Sequence, residues 1–149
     1  MTQERPIGYW VKLVDRLVEA GVDAELVREG LKQRHWVVLN VVAERGPVDE
    51  AGVARMLTPF ERASVEPVGS TELTLLASRR WIRREPDGYV LTDDGVGHLA
   101  ALRERVVALR ARATAGIPDD DVATTFTVLE RVAANLGWSP DDDAWGTEA

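Results

Sequence analysis

The chain has no cysteine, which excludes a disulfide framework and any thiolate metal site. Its two histidines, His35 and His98, lie far apart in sequence and give no zinc-ligand spacing, so no metal is expected. No apolar run approaches the roughly 18 residues that a membrane span requires, and the polar start MTQERP does not read as a signal peptide. There is no glycine-rich phosphate loop, no serine with a matched histidine and aspartate, and no carboxylate pair at a facing spacing. The expectation is a cytoplasmic, non-catalytic protein with no cofactor and no membrane attachment.

What is present is an ordinary globular composition. The 149 residues are 45% hydrophobic and 29% charged, with five tryptophans to anchor a core, enough for one domain. Net charge is −7, which is the wrong sign for phosphate neutralisation if the partner is a nucleic acid. The distribution matters more than the sum. Residues 48–92 hold six arginines (55, 62, 79, 80, 83 and 84) against seven acids (49, 50, 61, 66, 72, 85 and 87), a local net of −1. Four of the remaining acids sit in the tail, at Asp141, Asp142, Asp143 and Glu148.

The most informative stretch is STELTLLASRRWIRREPDGYVLTDDG, residues 70–95. Leu73, Leu76 and Ala77 recur at helical spacing. Pro86-Asp87-Gly88 is a turn signal, and Tyr89-Val90-Leu91-Thr92 alternates as a half-buried return strand. Helix, hairpin, helix is the outline of a winged helix. Ahead of it, residues 7–29 predict an amphipathic helix or a bent pair, through Ile7, Trp10, Val11, Val14, Leu17 and Val18, then Leu26 and Val27. Residues 32–44 predict a second helix, stopped by Gly46-Pro47, and Asp49 is placed to cap a short third one ending at Leu57. A linker with two prolines and a glycine, PFERASVEPVG, separates that helix from the reading region.

After the hairpin, Leu99, Leu102, Val106 and Leu109 alternate by three and four along a long helix, as in a coiled-coil seam. Gly116-Ile117-Pro118 breaks it. A last helix carries Val122, Phe126, Leu129, Val132 and Leu136, with Gly137 as its terminator. Such long end helices need a surface to cover them, either a second copy of the chain or the chain's own core. The fold class expected is mainly α with a small β-hairpin wing. One winged helix-turn-helix domain spans residues 1–137, with its core at 32–92 and flanking dimerisation helices at 7–29 and 94–137. An acidic, mobile tail occupies 138–149.

Over residues 7–137 this arrangement resembles the MarR family of bacterial transcription regulators. HWVVLNVVAERGPVDEAGVARML resembles that family's second and third helices. RRWIRREPDGYVLTDDG resembles the end of its recognition helix and its wing, with the LT-x-x-G motif at Leu91-Thr92-Asp93-Asp94-Gly95. The break Ala115-Gly116-Ile117-Pro118 before a final helix fits as well. Two features depart from the family pattern. The wing is cut down to Arg84-Glu85-Pro86-Asp87-Gly88-Tyr89, and the loop before the recognition helix is longer and carries Glu61 and Glu66.

The resemblance implies a homodimer that reads double-stranded DNA with the helix near residues 68–80. Leu73, Leu76, Ala77 and Arg80 form its expected inward face, and Ser70, Thr71, Thr74 and Ser78 its outward one. Those hydroxyls suit phosphates or base edges, or else Ser70 simply caps the helix and the threonines face water. Glu72 would repel phosphate unless it accepts a bond from a cytosine amino group. Arg83 and Arg84 alternate to opposite strand faces, with Arg62 in the preceding loop able to join them, although pairing with Glu85 or Asp87 is the competing role. The resemblance also implies a pocket for a small aromatic ligand, for which Tyr9, Trp10, His35 and Trp36 are the candidates. The same four residues read equally as core and interface. The functional alternative is a winged helix without DNA binding that serves protein interaction or small-molecule sensing.

Overall fold

The computed structural model describes residues 5–57 and 69–140. Arg62, Glu61, Glu66 and the acidic tail from Asp141 onward lie outside the described residues. Among the described residues, six helices and one hairpin follow in order: α1 (Ile7–Arg28), α2 (Gln33–Arg45), α3 (Glu50–Leu57), α4 (Ser70–Ser78), β1 (Ile82–Glu85), β2 (Gly88–Leu91), α5 (Asp93–Ala113) and α6 (Asp119–Asn135). The fold is mainly α with a two-stranded antiparallel wing. The chain forms two compact units, residues 1–110 and 111–149.

Residues 7–29 form one continuous helix rather than a bent pair. Its end is a Schellman motif. Gly30 takes a left-handed φ of +66°, its N–H reaches Val27 O at 2.9 Å, and Leu31 N–H reaches Leu26 O at 3.0 Å. Leu26 and Leu31, the apolar pair that accompanies this motif, are both buried. The same motif ends α4, where Trp81 N–H bonds Leu76 O at 3.1 Å and Arg80 N–H bonds Ala77 O at 3.0 Å. There the left-handed position, φ +60°, is held by Arg80, a residue with a Cβ. In the second unit Gly137 ends α6 in the same way, at φ +100°.

The core of the first unit joins Val22 and Leu26 of α1, Val38, Leu39 and Val42 of α2, and Val53 and Leu57 of α3. Leu73 and Leu76 of α4, Ile82 of β1, and Leu99, Leu102 and Val106 of α5 complete it. The expected seam on α5 therefore faces this core. Asp49 caps α3 by accepting the Gly52 N–H at 2.7 Å. Polar bonds fasten α5 to the earlier helices: Arg103 donates twice to Asn40 Oδ1, at 3.0 and 2.7 Å, and Arg105 donates to Glu29 Oε1 at 3.1 Å.

The wing is a two-residue hairpin, with Ile82 opposite Leu91, Arg83 opposite Val90, Arg84 opposite Tyr89 and Glu85 opposite Gly88. Val48, between α2 and α3, adds a third-strand bridge by exchanging two bonds with Tyr89, at 2.8 and 3.2 Å. A β-carbon on Gly88 would fall 2.5 Å from the Val48 carbonyl carbon, so glycine is needed there. The start of α5 sits as tightly on the hairpin base: a β-carbon on Gly95 would lie 1.9 Å from Trp81 O. That contact gives the LT-x-x-G motif its reason. Thr92 Oγ1 accepts the Gly95 N–H at 3.0 Å and caps the helix, while its own hydroxyl donates to Arg80 O at 2.5 Å.

In α1 the residues Ile7, Trp10, Val11, Val14 and Leu17 are all exposed, Leu17 to 61%. In the second unit α6 buries no residue, and Phe126 and Leu136 are 65% and 84% exposed.

Replacing the left-handed Arg80 by glycine removes the Cβ clash at the end of α4. Arg80→Gly is expected to stabilise the protein by about 0.5–1 kcal/mol, since the relief exceeds the extra chain entropy of glycine. Urea denaturation measures this; a loss of stability would mean that the arginine side chain contributes more than its backbone costs.

Candidate nucleic-acid interface

The helix that leads into the wing, α4, is nine residues long and begins at Ser70. Its N-cap is Gly69, in the left-handed region at φ +87°, and not Ser70. The buried side chains are Glu72, Leu73 and Leu76. Ala77 and Arg80, expected inward, are exposed. The helix is therefore rotated from the sequence expectation, with Glu72 taking the place in the protein that Ala77 was given.

That rotation changes the electrostatics. Glu72 is 8% exposed and paired with Arg34 of α2, Nε to Oε1 at 3.1 Å. It cannot repel a phosphate in front of the helix, nor receive a cytosine amino group there. Its second oxygen, Oε2, is buried with no hydrogen-bond partner. Arg79, at the C-terminal end of α4, also turns inward. Its Nη1 donates to Glu29 O at 2.5 Å, its Nη2 lies 3.4 Å from Gly30 O, and its guanidinium stands 5.4 Å from the Trp81 ring. Trp81 stacks on His98 at 4.1 Å. Arg79 thereby satisfies carbonyls left open at the end of α1 and offsets the negative end of that helix dipole.

Outward, α4 presents Thr71, Thr74, Ala77 and Ser78, with Ser70 half-buried beside them. Two of the hydroxyls are already used as donors: Thr74 Oγ1 donates to Ser70 O at 2.8 Å and Ser78 Oγ to Leu75 O at 2.6 Å. No charged side chain stands on this face of α4.

On the wing, Arg83 and Arg84 are both exposed. Arg83 lies on the same strand face as Glu85 and donates to its Oε1 twice, at 3.0 and 2.9 Å. Arg84 lies 6.0 Å from the Tyr89 ring. The two arginines are thus unequal, one neutralised within the strand and one stacked loosely on an aromatic. A cleft of about 160 Å³ beside them is lined by Asp49, Glu50, Arg84, Glu85, Asp87 and Tyr89. It is smaller than the roughly 300 Å³ of ordinary ligand pockets, and polar.

The four aromatic-pocket candidates are not brought together within one chain. Tyr9 and Trp10 sit at the first turn of α1, packed edge to face at 5.3 Å and both exposed. His35 and Trp36 sit at the start of α2, beyond the other end of α1. Tyr9 and Arg28 alone are separated by about 28 Å of helix at 1.5 Å per residue. Among the described residues no cluster of histidine and carboxylate side chains could hold a metal ion.

His35 has a structural task that its sequence context did not disclose. Its Nδ1 accepts the Lys32 N–H at 2.9 Å, closing the first turn of α2 from the N3 position. The neutral ring must then carry its proton on Nε2. Burial lowers its pKa below 6.5, helped by Arg79 and Lys32, against the opposing pull of Glu72. Protonation would also destroy the acceptor that caps the helix.

With the folded-state pKa below the unfolded value, the unfolded chain binds the proton first. Stability contributed by neutral His35 is complete above pH 6.5 and is lost as pH falls below it. Comparison of unfolding free energies for the native protein and His35→Gln checks this. The native protein should lose stability relative to the variant as pH drops from about 6.5; parallel profiles would refute it.

No protein-family model matches the sequence, and no curated protein matches it in sequence. Solved structures do match. The MarR family protein Rv2887 of Mycobacterium tuberculosis, in complex with DNA, is 24% identical, with a TM-score of 0.70 over 87% of this chain and 98% of that one. The same protein in complex with salicylic acid is 23% identical, with a TM-score of 0.62 over 87% of this chain and 99% of that one. A MarR family transcriptional regulator from Rhodococcus sp. RHA1 is 27% identical, with a TM-score of 0.63 over 85% of this chain and 93% of that one. Helix, two-stranded wing and flanking helices together give this chain the winged-helix fold of the MarR family of transcriptional regulators.

Proposed function

We propose that the protein is a cytoplasmic, non-catalytic transcription regulator that binds double-stranded DNA as a homodimer. The observation that carries this reading is the outward face of α4, where Thr71, Thr74 and Ser78 stand exposed while both charged residues flanking the face are turned inward. Ser70 at its first turn and Arg84 on the wing supply contacts to phosphate, Arg62 is kept with them as a candidate from the sequence, and Arg83 contributes less because Glu85 already holds it. The relative solved with DNA supports the same use of the fold. Among the described residues no helix is long and apolar enough to cross a membrane.

The homodimer rests on the exposed stripe of α1. A run of Ile7, Trp10, Val11, Val14 and Leu17 is a larger apolar surface than a monomer ordinarily leaves in water. A small aromatic ligand is the proposed effector, supported by the relative solved with salicylic acid. Because Tyr9 and Trp10 lie so far from His35 and Trp36 along one chain, a pocket using all four would draw the two pairs from different subunits.

A second reading is favoured by the wing. Its turn end gathers Asp49, Glu50, Glu85 and Asp87 around Arg84, a surface that suits a basic protein segment better than phosphate. A gel-shift titration with duplex DNA at low and moderate salt separates the two. Binding absent even at low salt would leave the protein-interaction or sensing role. If DNA is bound, Arg84→Ala should weaken binding and reduce the slope of log K against log salt by about 1, whereas Arg83→Ala should do so less.

Sedimentation at micromolar concentration is expected to give a dimer, and Leu17→Asp a monomer with unchanged helical content. A native monomer would remove the interface from the proposal.

A further inference from the structure

We infer that the outward face of α4 prefers A·T base pairs and offers guanine no bidentate donor, an inference that rests on the DNA-binding reading above and adds the base preference to it. The argument begins with what the face can donate. Guanine presents two acceptors in the major groove, O6 and N7, and its recognition calls for a strong donor pair such as arginine or lysine. The exposed positions of α4 are Thr71, Thr74, Ala77 and Ser78, and none of these is a cation or a side-chain amide. The one arginine at the helix C-cap, Arg79, is committed to Glu29 O and Gly30 O on the inner side. Arg80 follows the helix, on the turn into the hairpin.

The hydroxyls then narrow the choice. Thr74 and Ser78 give their protons to the carbonyls of Ser70 and Leu75, so their oxygens face outward as acceptors. In the major groove the donors are the adenine N6 and cytosine N4 amino groups. To serve guanine, either hydroxyl would have to rotate away and give up its bond to the helix backbone. Adenine and cytosine are separated by what surrounds their amino groups. An A·T pair adds the thymine C5-methyl, which meets the methyl groups of Thr71, Thr74 and Ala77 as apolar surface. A C·G pair offers no methyl and meets only the single hydroxyl donor of Thr71 for its two guanine acceptors. The face therefore fits a half-site whose central pairs are A·T.

Selection of the full chain on a random duplex pool at low salt tests the inference, followed by titration of the enriched duplex and of the same duplex with uracil in place of thymine. The expected motif has A·T pairs without a fixed G at the centre of each half-site, and uracil lowers affinity about fourfold per methyl in contact. At Thr74 the two halves of the side chain separate. Thr74→Val keeps the methyl and should lose about tenfold discrimination for adenine at one position; Thr74→Ser keeps the acceptor and should become insensitive to uracil there. A motif with an invariant G·C pair at the half-site centre overturns the inference, as does indifference to both uracil and the two Thr74 variants. Enrichment of no duplex at all instead overturns the DNA-binding reading itself.

Discussion

Both ends of α4 are fastened from inside by charge. Arg79 donates to the last carbonyls of α1, and Glu72 pairs with Arg34 at the start of α2. Each links residues far apart in sequence, and each places a charged group where an unpaired one would be costly. Removal of either partner would strand the other, so the orientation of α4 is coupled to the junction between α1 and α2. The uncharged outer face follows from the same arrangement, because the two flanking charges are spent on holding the helix in place.

The net charge of −7 looks different once these contacts are known. Glu72 is counted among the acids of residues 48–92, yet it faces the interior and is matched by Arg34. Arg83 is counted among the bases, yet Glu85 matches it on the same strand face. Sums over sequence windows treat each charge as solvated and available. In this fold the charges that remain available near α4 are fewer than the sum suggests, of both signs.

Much of the fold was legible from periodicity. The stripe at 99, 102 and 106 faces the core as spaced, and Pro86-Asp87-Gly88 marks the hairpin turn. The rotation of α4 was not legible, because a nine-residue helix gives Ala77 and Glu72 nearly equal claim to the inner face and alanine is the more apolar of the two. What decided it was Arg34, which lies 38 positions away in sequence. The same limit hid the bridge at Val48, which finds Tyr89 only after the hairpin has formed. Gly69 as the N-cap was missed because its left-handed backbone, not a side-chain oxygen, starts the helix. The Arg83–Glu85 pair, by contrast, was within reach of strand alternation, which sets both on one face.

The junction between α1 and α2 is where the remaining structure converges. Within residues 26–35 lie the Schellman turn closing α1, the two carbonyls that accept from Arg79, the arginine that holds Glu72, and the histidine that caps α2. Glu29 within it also accepts from Arg105 of α5. The exposed apolar stripe of α1 lies on the same rigid helix that ends in this junction. A rotation of α1 imposed at that stripe would move the Glu29 and Gly30 carbonyls, and Arg79 would carry the displacement into the C-terminal end of α4. The wing hairpin follows α4 through the turn at Arg80, so helix and wing would move as one body. Whatever covers α1 is therefore joined to the surface that α4 presents, through the side-chain-to-backbone bonds of Arg79.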